Sequence, residues 1–341
     1  MPPVAVRRVL FVPVLPILAV VLACLFLPVV VLAGLVSLLG DGRYRSIRLL
    51  RFALAWVFFE TWAVAACTLV WLGSPLGGRV RTERLWERHY SIIRRYIAGL
   101  YGAGERYLNL RVEVEGEWEA PGPERDPAPL IVLSRHAGPG DSLILVHHLL
   151  THHHRRPRLV MKDFLQLDPC IDIAAGRLPN VFVRSAGSGM TGEIGGLADR
   201  LGPADALVIF PEGGNFTAPR RRRAIRRLLR LNRRDQALRA TRMRNVMPPR
   251  PGGALAAVEA APGADVVFVA HTGLERLNSL KAVWQGLPLT FVVRARWWRV
   301  PAEAIPAGRR ERTDWLFTQW ERIDAWIAEN SSAVAPRGEP G

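Results

Sequence analysis

Residues 9–40 carry no charged side chain, and a run of that length exceeds the ~20 apolar residues needed to cross a hydrocarbon core. A soluble domain has nowhere to hide such a stretch, so the chain must begin with a membrane-associated segment. Arg7 and Arg8 precede the run, and residues 21–24 have the pattern of a lipoprotein cleavage site. The run continues well past Cys24, which argues against processing there. Pro13, Pro16 and Pro28 each remove a backbone donor and allow the segment to bend or re-enter. A second apolar run, residues 52–73, is interrupted only by Glu60. Two spans would strand Arg43, Arg45, Arg48 and Arg51 on the outer side, against the positive-inside tendency. A helical hairpin lying in one leaflet keeps them cytosolic, and both arrangements fit the sequence. The expected organisation is a membrane-anchoring segment over residues 1–75, a catalytic domain over 76–330 on the cytoplasmic side of the cell membrane, and a flexible tail over 331–341.

Charge narrows the partners. The 341 residues are 49% apolar yet carry a formal net charge of +16, a combination suited to an anionic membrane surface. Only Lys162 and Lys281 are lysines, so the arginine count partly reflects a compositional bias. The basic stretch 220–250 includes Arg226, Arg227, Arg230, Arg233 and Arg234, with Leu228, Leu229, Leu231 and Leu238 interleaved. That pattern fits a helix on anionic headgroups or a solvated helix face. It lacks the stacking aromatics or recognised module of a nucleic-acid site, so no nucleic-acid partner is expected. Cys24, Cys67 and Cys170 show no paired spacing, which points to a reduced compartment. His147, His148, His152, His153 and His154 have no carboxylate or cysteine at ligand spacing. They are expected to decorate the exposed end of a helix, and no metal or cofactor is expected.

Residues 79–107 mix arginine with Leu, Trp, Ile and Tyr at helical spacing, as in an interfacial helix or an amphipathic core helix. Residues 110–118 alternate as a half-exposed strand, and 121–128 form a polar loop. Apolar strands are expected at 130–134, 158–161, 181–183, 206–210, 266–270 and 289–293. Helical signals lie between them: an apolar helix beginning at 143–146, a helical turn at 169–175 and a helix at 191–201, the last with Thr191 as a possible cap. The stretch 315–327, with apolar residues at helical spacing, is expected to be an amphipathic helix closing the core, with a membrane-interface anchor as the alternative. The fold class expected is therefore α/β, with a mixed, largely parallel central sheet flanked by helices and preceded by the membrane segment. Ligands of such sheets gather at the carboxyl ends of the strands.

Three strand ends carry chemistry. The first strand empties into Ser134-Arg-His136-Ala-Gly-Pro-Gly-Asp141-Ser142. A loop this open lets the Asp141 carboxylate meet one ring nitrogen of His136 while the other faces a substrate, as a general base with its orienting acid. Asp141 also stands where an N-cap precedes an apolar helix, so a cap and a plain loop histidine are the alternative. Arg184 follows the strand at 181–183 and has the reach to hold a phosphate by two hydrogen bonds; a surface arginine is its alternative. Phe210-Pro-Glu212-Gly213-Gly214 follows the most apolar strand, and there Gly213 permits close approach of a ligand. Glu212 is suited to binding a hydroxyl or orienting the arginine, or else is a solvated turn residue.

In order and spacing, His136 with Asp141, then Arg184, then Phe210-Pro-Glu-Gly213 resemble the blocks of the glycerophosphate and lysophosphatidate acyltransferase family. The resemblance covers residues 130–293, and Pro249-Arg250-Pro-Gly-Gly253 resembles a further block of the lysophospholipid and lysocardiolipin branch. It implies a glycerol-3-phosphate acyltransferase-like fold, with His136 and Asp141 catalytic and Arg184, Glu212, Gly213 and Arg250 at the substrate. It also implies a lysophospholipid acceptor, lysophosphatidate first, and acyl-CoA or acyl carrier protein as co-substrate, giving phosphatidate. Remodelling of another lysophospholipid and a catalytically degenerate lipid-binding protein are the competing functions. Arg135 stands where the family often has Asn, the second block lacks the fuller Phe-x-x-Arg, and Gly214-Asn215 replaces Thr-Arg. The last change bears on the acceptor's head group, for which 220–223 offer substitute arginines.

Overall fold

The structure, a computed structural model, describes residues 2–39, 44–74, 82–116, 128–138, 140–183 and 190–331. Its centre is a seven-stranded sheet of order β1-β7-β6-β2-β5-β3-β4. These strands are β1 (Val112–Glu115), β2 (Leu130–Ser134), β3 (Arg156–Lys162), β4 (Val181–Val183), β5 (Asp205–Ile209), β6 (Asp265–Thr272) and β7 (Val293–Val300). Every neighbouring pair is parallel except β6 with β7. The largely parallel sheet follows from the central strands, whose residues are buried on both faces. Alternate residues of one apolar run then serve two cores. Ile131, Leu133, Leu207 and Phe268 pack under α12 (Arg309–Ser331) with Leu316, Phe317 and Trp320. Leu130, Val132, Val208 and Val267 face Leu145 and Leu149 of α5 (Asp141–Thr151) on the other side.

One strand lies elsewhere than expected. β7 begins where the apolar run 289–293 ends, and Leu289 and Phe291 pack in a separate cluster. In β7 the sheet-facing positions are Val293, Ala295 and Trp297, alternating with Arg294 and Arg296. Period-2 alternation, not an unbroken apolar run, marks the first half of β7, and Trp298 and Val300 then pack against the opposite core. The helix expected over 191–201 is α7 (Met190–Ala198), so Thr191 lies within it rather than capping it.

The N-terminal segment forms α1 (Val4–Phe11), α2 (Val14–Leu39) and α3 (Arg45–Leu72). Val4–Leu22 and Arg45–Leu72 are each long and apolar enough to cross a membrane. At ~1.5 Å per residue α3 runs about 40 Å, and it touches the rest of the chain along most of that length. At its start Arg45 donates to the Leu287 carbonyl (3.0 Å) and Arg48 to that of Tyr107 (3.2 Å). At its middle Glu60 accepts from the Tyr96 hydroxyl (2.7 Å) and the Cys170 amide (2.9 Å). Toward its end the Cys67 carbonyl accepts from Arg177. Tyr96 lies on α4 (Glu83–Ala103), where a side chain at Gly99 would collide with the Phe59 ring, a Cβ falling 2.4 Å from it. Cys170 lies on α6 (Pro169–Ile173), whose Asp172 pairs with both Arg7 and Arg8.

The histidines after residue 146 are not all at an exposed end. His147 and His148 are buried, and the His147 ring stacks on Tyr101 with centroids 3.9 Å apart. Burial, with His148 and His152 beside it, lowers His147 to about 4, so it is a neutral packing residue at physiological pH. Among the described residues no group of three or more His, Cys, Asp or Glu is arranged to hold a metal ion.

Candidate active site

β2, β5 and β6 run parallel, so their carboxyl ends share one edge of the sheet. His136 stands two residues beyond β2 and three hydrogen bonds fix its surroundings. Its amide donates to Glu212 Oε1 (3.4 Å), its carbonyl accepts from the Phe216 amide (2.8 Å), and Nδ1 lies 3.0 Å from Asp141 Oδ2. The Phe210 ring backs the imidazole at 4.6 Å between centroids. A carboxylate only accepts, so the proton sits on Nδ1 and leaves Nε2 with a free lone pair. No described residue hydrogen-bonds Nε2, and the side chain is partly exposed.

Asp141 is held more tightly than a cap would be. Gly140, at φ +97°, occupies the cap position, and Asp141 is the first helical residue of α5. The left-handed conformation, which glycine adopts without penalty, turns the carboxylate back over the loop. There Oδ2 accepts from the Ala137 amide (2.6 Å) and the Gly138 amide (3.0 Å) as well as from His136. Burial pushes the carboxyl up, but the nearby His271 and the hydrogen bonds from His136 and Gly138 bring it below its ordinary value. It is therefore the ionised, orienting acid. The Gly138 amide is committed to Asp141, whereas the first-turn amides of α5 have no partner within the helix.

Glu212 is placed differently from expectation. It is fully buried, and its second oxygen accepts from the Met247 amide (3.2 Å). It therefore ties the His136 backbone to the segment before α10 (Pro251–Ala260) rather than reaching a hydroxyl or an arginine at the surface. Burial raises it to about 8, against the opposing pull of Arg135 and the two amides. Gly213, at φ +71°, is required twice over. A Cβ there would be strained and would lie 2.9 Å from the Arg250 guanidinium carbon. Arg250 reaches this place because its amide donates to the Pro211 carbonyl (2.9 Å). Arg220 approaches the next glycine, its Nη1 lying 3.5 Å from where a Cβ on Gly214 would stand, and donates to the Asn215 carbonyl (3.2 Å). Burial and the charge of Arg227 lower Arg250, the mark of guanidinium groups crowded without a counter-ion. Arg221, by contrast, is committed to the carbonyls of Ala240, Thr241 and Met243. Arg184 lies outside the described residues.

Behind the loop Arg135 and His271 form a polar layer, of which His271 has no counterpart among the residues expected from sequence. Arg135 is buried and donates to the carbonyls of His271 and Asn245 and to Glu275 Oε2 (3.2 Å). His271 Nε2 donates to the Arg135 carbonyl (3.0 Å) and stands 3.9 Å from Asp141 Oδ2. Burial lowers His271, against the opposing pull of Asp141. The signal available was positional: a histidine at the carboxyl end of an apolar strand, on the edge shared with His136.

A base-and-acid pair at the strand ends of an open α/β sheet, beside the Arg250 and Arg220 guanidinium groups, is suited to proton transfer at a bound substrate. Residues 111–272 match the model of the Acyltransferase family. No curated protein matches the chain. Among solved structures it is similar to the 1-acyl-sn-glycerophosphate (LPA) acyltransferase PlsC from Thermotoga maritima. That likeness has a TM-score of 0.54 and 17% identity, and covers 86% of this chain and 100% of the other. The match over residues 111–272 and the shared fold support an O-acyltransferase of the glycerophosphate and lysophosphatidate acyltransferase kind.

Proposed function

We propose that the protein transfers a fatty acyl group from an acyl thioester, acyl-CoA or acyl carrier protein, to the free hydroxyl of lysophosphatidate, giving phosphatidate. The observation that carries this is the His136–Asp141 pair beside the Arg250 and Arg220 guanidinium groups. His136 Nε2 takes the proton of the hydroxyl as its oxygen bonds to the thioester carbonyl carbon. Asp141 holds the tautomer and stabilises the imidazolium, the role of the acid in a Ser-His-Asp site. First-turn amides of α5 face the oxyanion. The C–S bond then breaks and the imidazolium returns its proton to the departing thiolate. Arg250 and Arg220, with Arg184 as a third candidate, hold the acceptor phosphate.

The apolar N-terminal helices keep the enzyme on the cytoplasmic face of the cell membrane, where its acceptor resides. Contacts along most of α3 favour a hairpin lying in one leaflet over two perpendicular spans. The test is incubation of the purified protein with labelled acyl-CoA or acyl carrier protein and a panel of lysolipids. Lysophosphatidate should be the preferred acceptor and His136→Ala should abolish product. Preference for an acceptor without a terminal phosphate would make the protein a remodelling enzyme. Lipid binding without any acylated product would make it a degenerate one.

A further inference from the structure

Beyond Arg220, the arginine-rich segment that follows the catalytic loop has no role in the proposed chemistry. α8 (Ala218–Arg230) packs on the domain through half-buried Arg221, Ala224, Ile225 and Leu228. On the outward side Arg222, Arg226 and Leu229 follow at i, i+4 and i+7, one stripe of a 3.6-residue helix, and Arg233 follows the left-handed Asn232 that ends it. All four are exposed, and among the described residues no carboxylate pairs with the three arginines. Three leucines interrupt the charge while more than half exposed: Leu229 at 54%, Leu231 at 53% and Leu238 at 56%. Leu238 belongs to the next helix, α9 (Arg234–Arg242). The patch begins at the mouth of the site, since Phe216, two residues before α8, donates its amide to the His136 carbonyl.

We propose that this face docks on an anionic lipid surface, independently of α1–α3. Concentrated positive charge complements acidic headgroups, and each arginine near such a surface contributes about fivefold in binding. The leucines enter the acyl boundary while arginine stems lie over apolar surface with their heads among phosphates. An acidic protein would answer the charge but would need its own apolar patch opposite three separated leucines, which a bilayer supplies at every position. Docking here seats the mouth of the His136 site on the leaflet.

The full chain, assembled in nanodiscs of phosphatidylcholine alone or enriched in phosphatidylglycerol, tests this without turnover. Its failure is therefore distinct from failure of the acyl-transfer reading. Trypsin cleavage within residues 220–234, followed by mass spectrometry, should slow roughly tenfold in the anionic discs. High salt should restore it. The variant carrying Arg222→Gln, Arg226→Gln and Arg233→Gln should lose the protection at the remaining arginines. Equal cleavage of the wild type in both discs would overturn the proposal, as would undiminished protection in the variant. Protection by soluble acyl carrier protein, with none from phosphatidylglycerol, would assign the face to a protein partner instead.

Discussion

Replacing Glu212 with glutamine separates two roles that one residue can have at this site. The carboxyl is fully buried and raised from 4.5 to about 8, so the folded protein retains a proton that the unfolded chain releases. Stability from this group is present in full below pH ~4.5 and is lost as pH rises through about 8. At ~1.4 kcal/mol per pH unit, the loss across that window is at most about 5 kcal/mol. Glu212→Gln removes the titration. The amide can accept from one of the His136 and Met247 amides but not both, which costs ~1–3 kcal/mol at every pH. The variant should therefore be less stable than wild type at pH 5, and the two should converge or cross by pH ~8.5. Urea midpoints of the detergent-solubilised protein across this range measure it. Because Glu212 touches the His136 backbone and not its ring, acyl transfer at pH 7 should fall less than ~10-fold. A variant with the wild-type pH slope would show that Glu212 is ionised throughout. A loss as large as that of His136→Ala would show that the carboxylate itself meets the substrate.

His136→Ala should lower acyl transfer by ~10²–10⁴-fold with little change in thermal midpoint, since the ring is partly exposed; a rate within threefold of wild type would refute the base assignment. Asp141→Asn places an amide against the Ala137 and Gly138 amides, so both rate and stability should fall. Because Asp141 is lowered, its stabilisation is present above pH ~4 and lost as pH falls further, a dependence the variant should lack in acid denaturation. Gly213→Ala should cost about 1–2 kcal/mol from its φ of +71° and displace Arg250; kinetics should show a raised KM for lysophosphatidate, and an unchanged KM would remove Arg250 from the head-group site. Arg135→Met should destabilise by ~3 kcal/mol or more, because the His271 and Asn245 carbonyls lose their donor, read as a lowered urea midpoint.

The strands were legible wherever burial was two-sided, because an apolar run between turn residues has few other uses. β2, β5 and β6 fall within a residue or two of expectation. β7 was missed because Arg294 and Arg296 break the run, although they occupy the face away from Ala295 and Trp297. The His136–Asp141 pairing was legible from an open loop of fixed length. Its cap was not, since Gly140 and Asp141 compete for one position and only the φ of +97° decides between them. Glu212 illustrates the limit most clearly. Spacing places a carboxylate beyond a strand but not which way it points, and here it turns inward to two amides contributed by distant segments. Arg135 and His271 lie 136 positions apart and meet only across adjacent parallel strands, a relation that no local pattern records.

The anchor and the chemistry meet at one edge of the sheet. β3 runs parallel to β5, as β2 does, so residues 163–178 leave the sheet on the edge that carries His136. It is this excursion that the N-terminal helices grip. Arg7 and Arg8 pair with Asp172, Glu60 accepts from the Cys170 amide, and Arg177 reaches the Cys67 carbonyl. Glu60 would be costly on an apolar helix facing lipid tails, yet its two donors both come from the catalytic domain. The carboxyl group therefore faces the protein and fixes the rotation of α3, leaving Phe58 and Leu69 outward. Glu60→Leu would keep the apolarity but remove that constraint. It should leave the protein in the membrane fraction while loosening the segment 163–178, read as faster amide exchange at Cys170. Unchanged exchange there would show that the other contacts alone hold the anchor to the site.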